Sequence, residues 1–391
     1  AEVIRSGQLG RHGGTKVKEL ERAFAERYGV KHAIAVSSGS AADHTAIAMI
    51  DPEPGDEIIT TPCSDFGTIL GILFQNAIPV FADLDPQTLC LDPASVEANI
   101  TPRTRAILVV HLFGGLADMD ALKEIGDRHG IPVIEDCAQA QLAELDGRLA
   151  GTIGQIGCFS FNNSKHLNCG EGGMVTTDNE DLAWEARSFR DHGYDVKARL
   201  SLLELEQKLP YIHNRVGWNY RMTEMQSAIG LAELDRMDDW NMPARRRNAH
   251  IVMDALNDLP QVLYAPIDTD ERRNGWFVMA FSLDIENMKC DIDQFVAAAG
   301  AEGAPCWKVF WPQCHTEKAF MKHRGFGDSG FPFTSKEYAN PASVDYTNVE
   351  VPNAVWHQGH TFTCFAFPTF TEDDMHQIAN ALVKVIKAYS K

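Results

Sequence analysis

Three short segments carry residue types that could act together. Ser37-Ser-Gly-Ser40 follows the β-prone run Ala33–Val36 and precedes the helix-prone Ala41-Ala-Asp-His-Thr-Ala-Ile-Ala-Met49. A glycine turn lets backbone approach a ligand closely. The free N–H groups of a first helical turn, aided by the dipole, then attract an anion such as phosphate. Ile134-Glu-Asp-Cys-Ala-Gln139 ends a hydrophobic run, and a carboxylate such as Asp136 at the carboxyl end of a strand sits where open α/β sheets bind ligands. It could bind a metal or pair with a cationic ring nitrogen; with no His or carboxylate cluster at ligand spacing nearby, the second use is favoured. In Phe159-Ser-Phe-Asn-Asn-Ser-Lys165-His-Leu-Asn-Cys-Gly-Glu-Gly-Gly173, a lysine follows a strand in a polar turn and a Gly-rich stretch leads to the next strand. A partly desolvated lysine there has a lowered pKa and can form a Schiff base. Singly, each segment has a plainer reading: a Ser-capped turn, an Asp helix cap, a surface lysine.

In chain order the three make a set. An anion cradle, a carboxylate that keeps a pyridine nitrogen protonated, and an amine that captures an aldehyde are what pyridoxal 5′-phosphate requires. Competing motifs fail. Gly151-Thr-Ile-Gly-Gln-Ile-Gly157 has the wrong spacing for a dinucleotide fingerprint, and neither a Walker loop, H-E-x-x-H nor G-x-S-x-G occurs. His357 and His360 read as surface or core histidines rather than metal ligands, and no metal is expected.

The elements that must position these segments are legible as short β-rich runs: Ala33–Val36, Glu57–Thr61, Pro79–Leu84, Ala106–His111, Pro132–Glu135, Gly157–Phe161 and Gly173–Thr177. Most gaps are long enough for a helix, which predicts an α/β domain with a seven-stranded, mostly parallel sheet covered on both faces. Val17, Leu20, Phe24 and Tyr28 recur at helical spacing, and Thr223-Glu-Met-Gln226 has the form of a capping box. Residues 1–240 are expected to form this large domain and 241–391 a smaller C-terminal α+β domain. The second contains a helix starting near Arg245-Arg-Arg247, a strand over Trp276–Leu283 and a helix from Thr371 to Tyr389 with one apolar stripe. The stretch from Arg324 to Pro352, rich in Gly, Pro, Ser and aromatics, is expected to face substrate or an oligomer contact.

The chain has 391 residues, 45% hydrophobic and 23% charged, in the range of folded globular proteins. Thirty-five Lys and Arg against 54 Asp and Glu give a net charge of −19, which repels a phosphate backbone, so nucleic acid is not an expected partner. No apolar run approaches the ~18 residues of a membrane span. Nine scattered cysteines with no C-x-x-C pair fit a reducing cytoplasm.

The motifs as a set resemble the DegT/StrS family of sugar aminotransferases on the fold-type I scaffold. They are Ser-Ser-Gly-Ser-Ala-Ala (37–42), Ile-Glu-Asp-Cys-Ala-Gln-Ala (134–140), Phe-Ser-Phe-x-x-x-Lys (159–165), Gly-Glu-Gly-Gly (170–173), Arg-Asp-His-Gly (190–193) and Gly-Trp-Asn-Tyr-Arg-Met-Thr-Glu (217–224). The resemblance runs from about Gly7 to Trp240, with a looser match at Phe365-Ala-Phe-Pro-Thr-Phe-Thr-Glu-Asp. It implies that Lys165 carries the cofactor as a Schiff base, Asp136 pairs with the ring nitrogen, and Gln139 lies near the phenolic oxygen. Ser40, Ala41 and Ser160 would hold the phosphate beside Gly39, with Asn219 reaching it from the neighbouring subunit of a homodimer with shared sites. The activity implied is transfer of an amino group from glutamate or glutamine to a nucleotide-linked keto sugar, a keto-inositol or a keto sugar acid. A dehydratase or lyase on the same fold and a non-catalytic regulatory module are the alternatives; an intact lysine favours transamination. Two departures stand out. The family pattern sets an aromatic ring over the cofactor two residues after the position of Cys63, where this chain has Asp65. Either Phe66 covers the ring through a local shift or the ring is covered differently. The segment from Trp307 to Pro352 lacks the usual histidine and proline landmarks. His12, Phe113, His166, His192 and the 324–352 loop are candidate lining residues for the acceptor, each also readable as structural.

Overall fold

The computed structural model describes residues 1–195, 213–309, 313–328, 330–334 and 344–391. Its main sheet is built from β1 (His32–Val36), β2 (Glu57–Thr60), β3 (Ile78–Phe81), β4 (Thr104–Val110), β5 (Val133–Asp136), β8 (Ile156–Ser160) and β9 (Gly173–Thr177), with the hairpin strands β6 (Glu144–Leu145) and β7 (Arg148–Leu149) between β5 and β8. The order is β1-β9-β8-β5-β4-β2-β3. Neighbours are parallel except that β9 runs against both β8 and β1, so only one of the seven is reversed. All seven β-rich runs read from the sequence form strands, with ends displaced by at most three residues.

Helices α1 (Glu2–Ser6), α2 (Lys16–Tyr28), α3 (Gly39–Ile50), α4 (Phe66–Phe74), α5 (Pro93–Ala98), α6 (Met119–His129) and α7 (Glu180–Arg190) surround this sheet. Strand alternation divides the core in two. Val133 and Phe159 face α2 and α6, while Ile134, Ile156 and Cys158 face α3 and α7. On α2 the predicted stripe of Val17, Leu20, Phe24 and Tyr28 is buried, with Phe24 and Tyr28 stacked and both edge-on to Phe159. Such rings bury large apolar areas, and edge-on pairs add about 1 kcal/mol each.

A second sheet of order β10-β12-β14-β13, wholly antiparallel, comprises β10 (Val262–Tyr264), β12 (Met279–Leu283), β13 (Cys306–Lys308) and β14 (Thr361–Cys364). The intervening β11 (Arg272–Arg273) instead pairs with β6, tying this part of the chain to the first sheet's hairpin. Helices Met242–Leu256, Ile292–Ala301 and Glu372–Tyr389 pack on the second sheet in a core of their own. The capping boxes at Thr223 and Thr371 both form, each joining a threonine hydroxyl to the backbone three residues on. β12 begins three residues later than expected, because Asn274–Val278 run irregularly and Trp276 has φ 55°. That irregular stretch brings Phe277 to the site described below.

Of the stretch 324–352, residues 329 and 335–343 lie outside the described ones. Of the described remainder, most residues are exposed, and a few are packed inward. Phe333 and Tyr346 are buried with Phe320 and Phe81, and the Tyr346 hydroxyl donates to the Pro79 carbonyl at 3.1 Å. These aromatics cover the edge strand β3, whose Pro79 already marks it as an edge. Among the described residues no helix is long and apolar enough to cross a membrane.

Candidate active site

Six chain segments converge at the carboxyl ends of the parallel strands on one cavity of about 320 Å³. Its wall includes Gly39 and Ser40 after β1, Asp65 and Thr68 after β2, Asp136 ending β5, Ser160 ending β8, Lys165, and Phe277. Strand ends of an open α/β sheet leave a crevice there.

The cradle is built from the start of α3. Ser38 caps the helix in extended conformation, its hydroxyl accepting from the Ala41 N–H at 3.1 Å. Gly39 and Ser40 lie in the first turn, where the helix itself offers no acceptor for their N–H groups. A Cβ on Gly39 would stand 2.7 Å from Ser160 Cβ, so glycine lets this turn lie directly against the end of β8. The Ser160 side chain therefore shares the cradle.

Asp136 is buried, 3% exposed. Its Oδ2 accepts from the Thr68 hydroxyl at 2.8 Å and its Oδ1 from the Ala138 N–H at 2.9 Å. Burial raises its pKa; the Ala138 and Thr68 bonds and the charge of Lys165 oppose that rise. A cation placed against its remaining lone pairs would stabilise the anion further.

Lys165 sits in an irregular turn that buried side chains hold at several points. Gln141 donates to the Ser160 carbonyl at 2.7 Å and accepts from the Leu167 N–H at 3.0 Å. His166 Nε2 donates to the Gly275 carbonyl at 2.6 Å, and Asn241, itself held by Arg245, donates to the His166 carbonyl at 2.9 Å. The lysine Nζ lies over the Phe277 ring, 4.1 Å from its centroid. Desolvation pulls its pKa below the ordinary lysine value, against the carboxylates of Asp136, Asp65 and Asp43. Burial that disfavours the ammonium form makes a lysine more available as a nucleophile and a base.

Thus Gly39, Ser40, Asp136, Ser160 and Lys165 meet at one cavity, whereas other expected residues lie differently. The Ala41 N–H is engaged by the helix cap. Gln139 is buried with its Oε1 accepting from the Phe113 N–H at 2.8 Å. Phe66 turns its ring edge-on to Phe320, 5.6 Å between centroids, and the cavity wall at that point is Asp65, Gly67 and Thr68. Asn219 is exposed and bridges to Asp191. His12, His192 and Arg221 gather around that same Asp191. His166 is buried as a clamp rather than a wall. His357 is in the core with Ser282 and Thr361, and His360 bonds Glu286.

Sequence reasoning passed over Thr68, Asp43 and Phe277. A hydroxyl within the apolar run from Thr68 to Phe74, and three polar residues, Asp43, His44 and Thr45, inside a helix of small apolar ones, were the available signals. It also found no ligand cluster near Asp136. The structure brings His111 together with Glu135, 24 residues on, and with Cys137. Glu135, however, accepts four hydrogen bonds, from His111 Nε2 and the N–H groups of Gly151, Ile153 and Gly154, and His111 Nδ1 accepts from Ala117. These groups bind one another.

The model of the DegT/DnrJ/EryC1/StrS aminotransferase family matches residues 1–348. An L-glutamine:2-deoxy-scyllo-inosose aminotransferase from Streptoalloteichus tenebrarius is 39% identical over 407 aligned residues, covering 100% of this chain and 91% of that protein. A GDP-perosamine synthase from Caulobacter vibrioides is 43% identical over 234 residues, 60% of each. The crystal structure of an aminotransferase from Psychrobacter cryohalolentis superposes with a TM-score of 0.87 at 30% identity, covering 99% of this chain and 95% of that one. The seven-stranded, mostly parallel sheet agrees with these likenesses, and the chain belongs to the DegT/DnrJ/EryC1/StrS family of sugar aminotransferases.

Proposed function

We propose that this aminotransferase holds pyridoxal 5′-phosphate in the cavity at the strand ends and moves an amino group from glutamate or glutamine to a keto sugar. The observation that carries the reading is the convergence of the first turn of α3, Asp136 and Lys165 on one cavity. The residues fit that cofactor: a first helical turn for a phosphate, a buried carboxylate short of a cation, and a desolvated amine. Gly39, Ser40 and Ser160 would hold the phosphate, with Ala41 locking the turn; Asp136 would pair with the ring nitrogen. Gln139, its carbonyl oxygen engaged by Phe113, has its amide nitrogen as the group for the phenolic oxygen. Exposed Asn219 would complete the phosphate site of a partner subunit in a homodimer.

Bound pyridoxal phosphate supplies an electron sink for the carbanion that develops at the substrate α-carbon. The chain's own work is proton handling and orientation. With the cofactor and donor bound, the free Lys165 amine would take the proton from the donor α-carbon and return it at the cofactor's C4′, acting as base and then acid. With the keto sugar as second substrate the same amine runs the transfer in reverse. Asp136 would keep the ring nitrogen of the bound cofactor protonated. With a large domain over 1–240 and a small one over 241–391, Phe277 would be the small domain's contribution to the lysine's surroundings.

Three acceptor classes stand: a nucleotide-linked keto sugar, a keto-inositol and a keto sugar acid. The relative named for 2-deoxy-scyllo-inosose spans the whole chain, which ranks the keto-inositol first. The test is spectroscopic. Protein supplied with pyridoxamine phosphate is offered each ketone, and the one that restores the visible band of lysine-bound cofactor is the acceptor. Glutamate and glutamine are then compared for removing that band. Borohydride trapping that labels any residue other than Lys165 would overturn the site.

A further inference from the structure

The helix that opens with the cradle also buries a second carboxylate. Asp43, in the second turn of α3, is 4% exposed, lines the same cavity as Asp136 and Lys165, and has an Oδ1 with no hydrogen-bond partner among the described residues. Its side chain meets the thiol of Cys158. Cys158 stands directly opposite Asp136 in the β5/β8 register, on the same face of the sheet. The charged groups around Asp43 come from every element packed there: Asp136 from β5, Asp65 from the cap of α4, and Lys165 from the turn after β8. His44, next along the helix, is turned away to Tyr220 and Gln75.

Two buried carboxylates that face one cavity disfavour each other's ionisation. Asp136 has a hydroxyl and a backbone N–H to support its anion, whereas Asp43 has only a thiol. The anion therefore falls to Asp136 and the proton to Asp43, whose pKa burial and the charge of Asp136 hold well above the carboxylate range. An apolar side chain would fill the same space without leaving an unpaired oxygen, so packing alone does not account for an acid here.

We infer that Asp43 and Asp136 act as a pair holding one proton at the ring-nitrogen end of the cavity, with Asp43 a positioning residue that becomes the anion when Asp136 cannot. The inference rests on the reading of Asp136 as partner of the ring nitrogen. It predicts that the two positions are not independent. Asp136→Asn removes the charge that keeps Asp43 protonated, Asp43 ionises, and the pocket keeps a negative charge for a cationic ring.

The experiment measures the dissociation constant of pyridoxal phosphate for the full-length wild type, Asp43→Asn, Asp136→Asn and the double variant, with circular dichroism as the check on folding. Asp43→Asn is expected to weaken binding a few-fold and Asp136→Asn about tenfold. The double variant should lose at least about tenfold more than the product of the two. Effects that multiply within a factor of about two would overturn the pair. If Asp43→Asn misfolds, Asp43→Leu completes the same cycle, and if Asp136→Asn misfolds, Asp136→Ala does. As a second readout, the pH at which the visible band of bound cofactor fades should lie about one unit lower in the double variant than in Asp136→Asn; coincident midpoints would also overturn it. A wild type that forms no visible band with pyridoxal phosphate would instead sink the functional reading itself. A normal wild-type band with multiplicative variants rejects the pair alone.

Discussion

Glu135 and Asp136 are neighbours on one strand, and the alternation of β5 sends them to opposite faces of the sheet. Both are buried acids at the same height. Glu135, fully buried, accepts four hydrogen bonds and pairs with a fully buried His111. Asp136 accepts two and opens on a cavity that also holds an amine and an acid with an unpaired oxygen. A buried charge whose lone pairs are all committed to the protein ties loops to a sheet. One with capacity left over, beside empty space, is placed for a ligand.

That contrast can be attacked from the cavity side first. Lys165→Ala should abolish turnover and remove the visible band of bound cofactor; residual turnover above the uncatalysed rate would remove the cavity from consideration. Asp136→Asn should leave the urea midpoint near wild type while slowing turnover at least about 100-fold, the scale of a lost electrostatic stabiliser. Glu135→Ala should do the converse. It strands three N–H groups and His111, which costs about 3–5 kcal/mol by urea unfolding, and the protein that remains folded should keep the cofactor's spectrum. If Glu135→Ala proved as stable as wild type, or Asp136→Asn the less stable of the two, the distinction between the faces would fail.

Smaller perturbations sharpen it. Gly39→Ala would push a methyl against Ser160 and lift the first turn of α3 from β8. An affinity for pyridoxal phosphate lowered about tenfold with an unchanged spectrum would show that only the phosphate end had moved. Changing pH alone is gentlest. Because desolvation depresses the Lys165 pKa, its amine is neutral at lower pH than an ordinary lysine of about 10.4. Cofactor uptake by the cofactor-free protein should therefore quicken as pH rises and level off below that value. A rate still climbing past it would mean that the amine is not desolvated.

The sheet was readable from sequence because each strand is a local signal. A run of four to seven apolar or β-branched residues bounded by turns needs no knowledge of its neighbours, and the capping box at Thr223 and the N-cap at Thr371 are equally local. The order cradle, carboxylate, lysine was readable for the same reason. Each motif ends a strand, and parallel strands put their carboxyl ends on one side. What stayed hidden depends on partners distant in the chain. Thr68 matters because β2 lies two strands from β5, and β11 pairs with β6 across more than a hundred residues. The rings of Phe66, Phe333 and Tyr346 are drawn into a cluster over β3 that no periodicity announces. Asp43 looked like one more polar helical residue, because burial at that turn is decided by the strands beneath it.

The clamps on the turn around Lys165 have a kinetic consequence. With Gln141, His166 and Asn241 fixing the backbone on either side, the amine moves only through rotation of its own four-carbon arm. Its effective concentration at the two carbons it is proposed to serve is then set by a short tether. Intramolecular groups held this way reach effective molarities of about 10⁵ M or more when well oriented. Loosening any one clamp would dilute the amine without touching its chemistry.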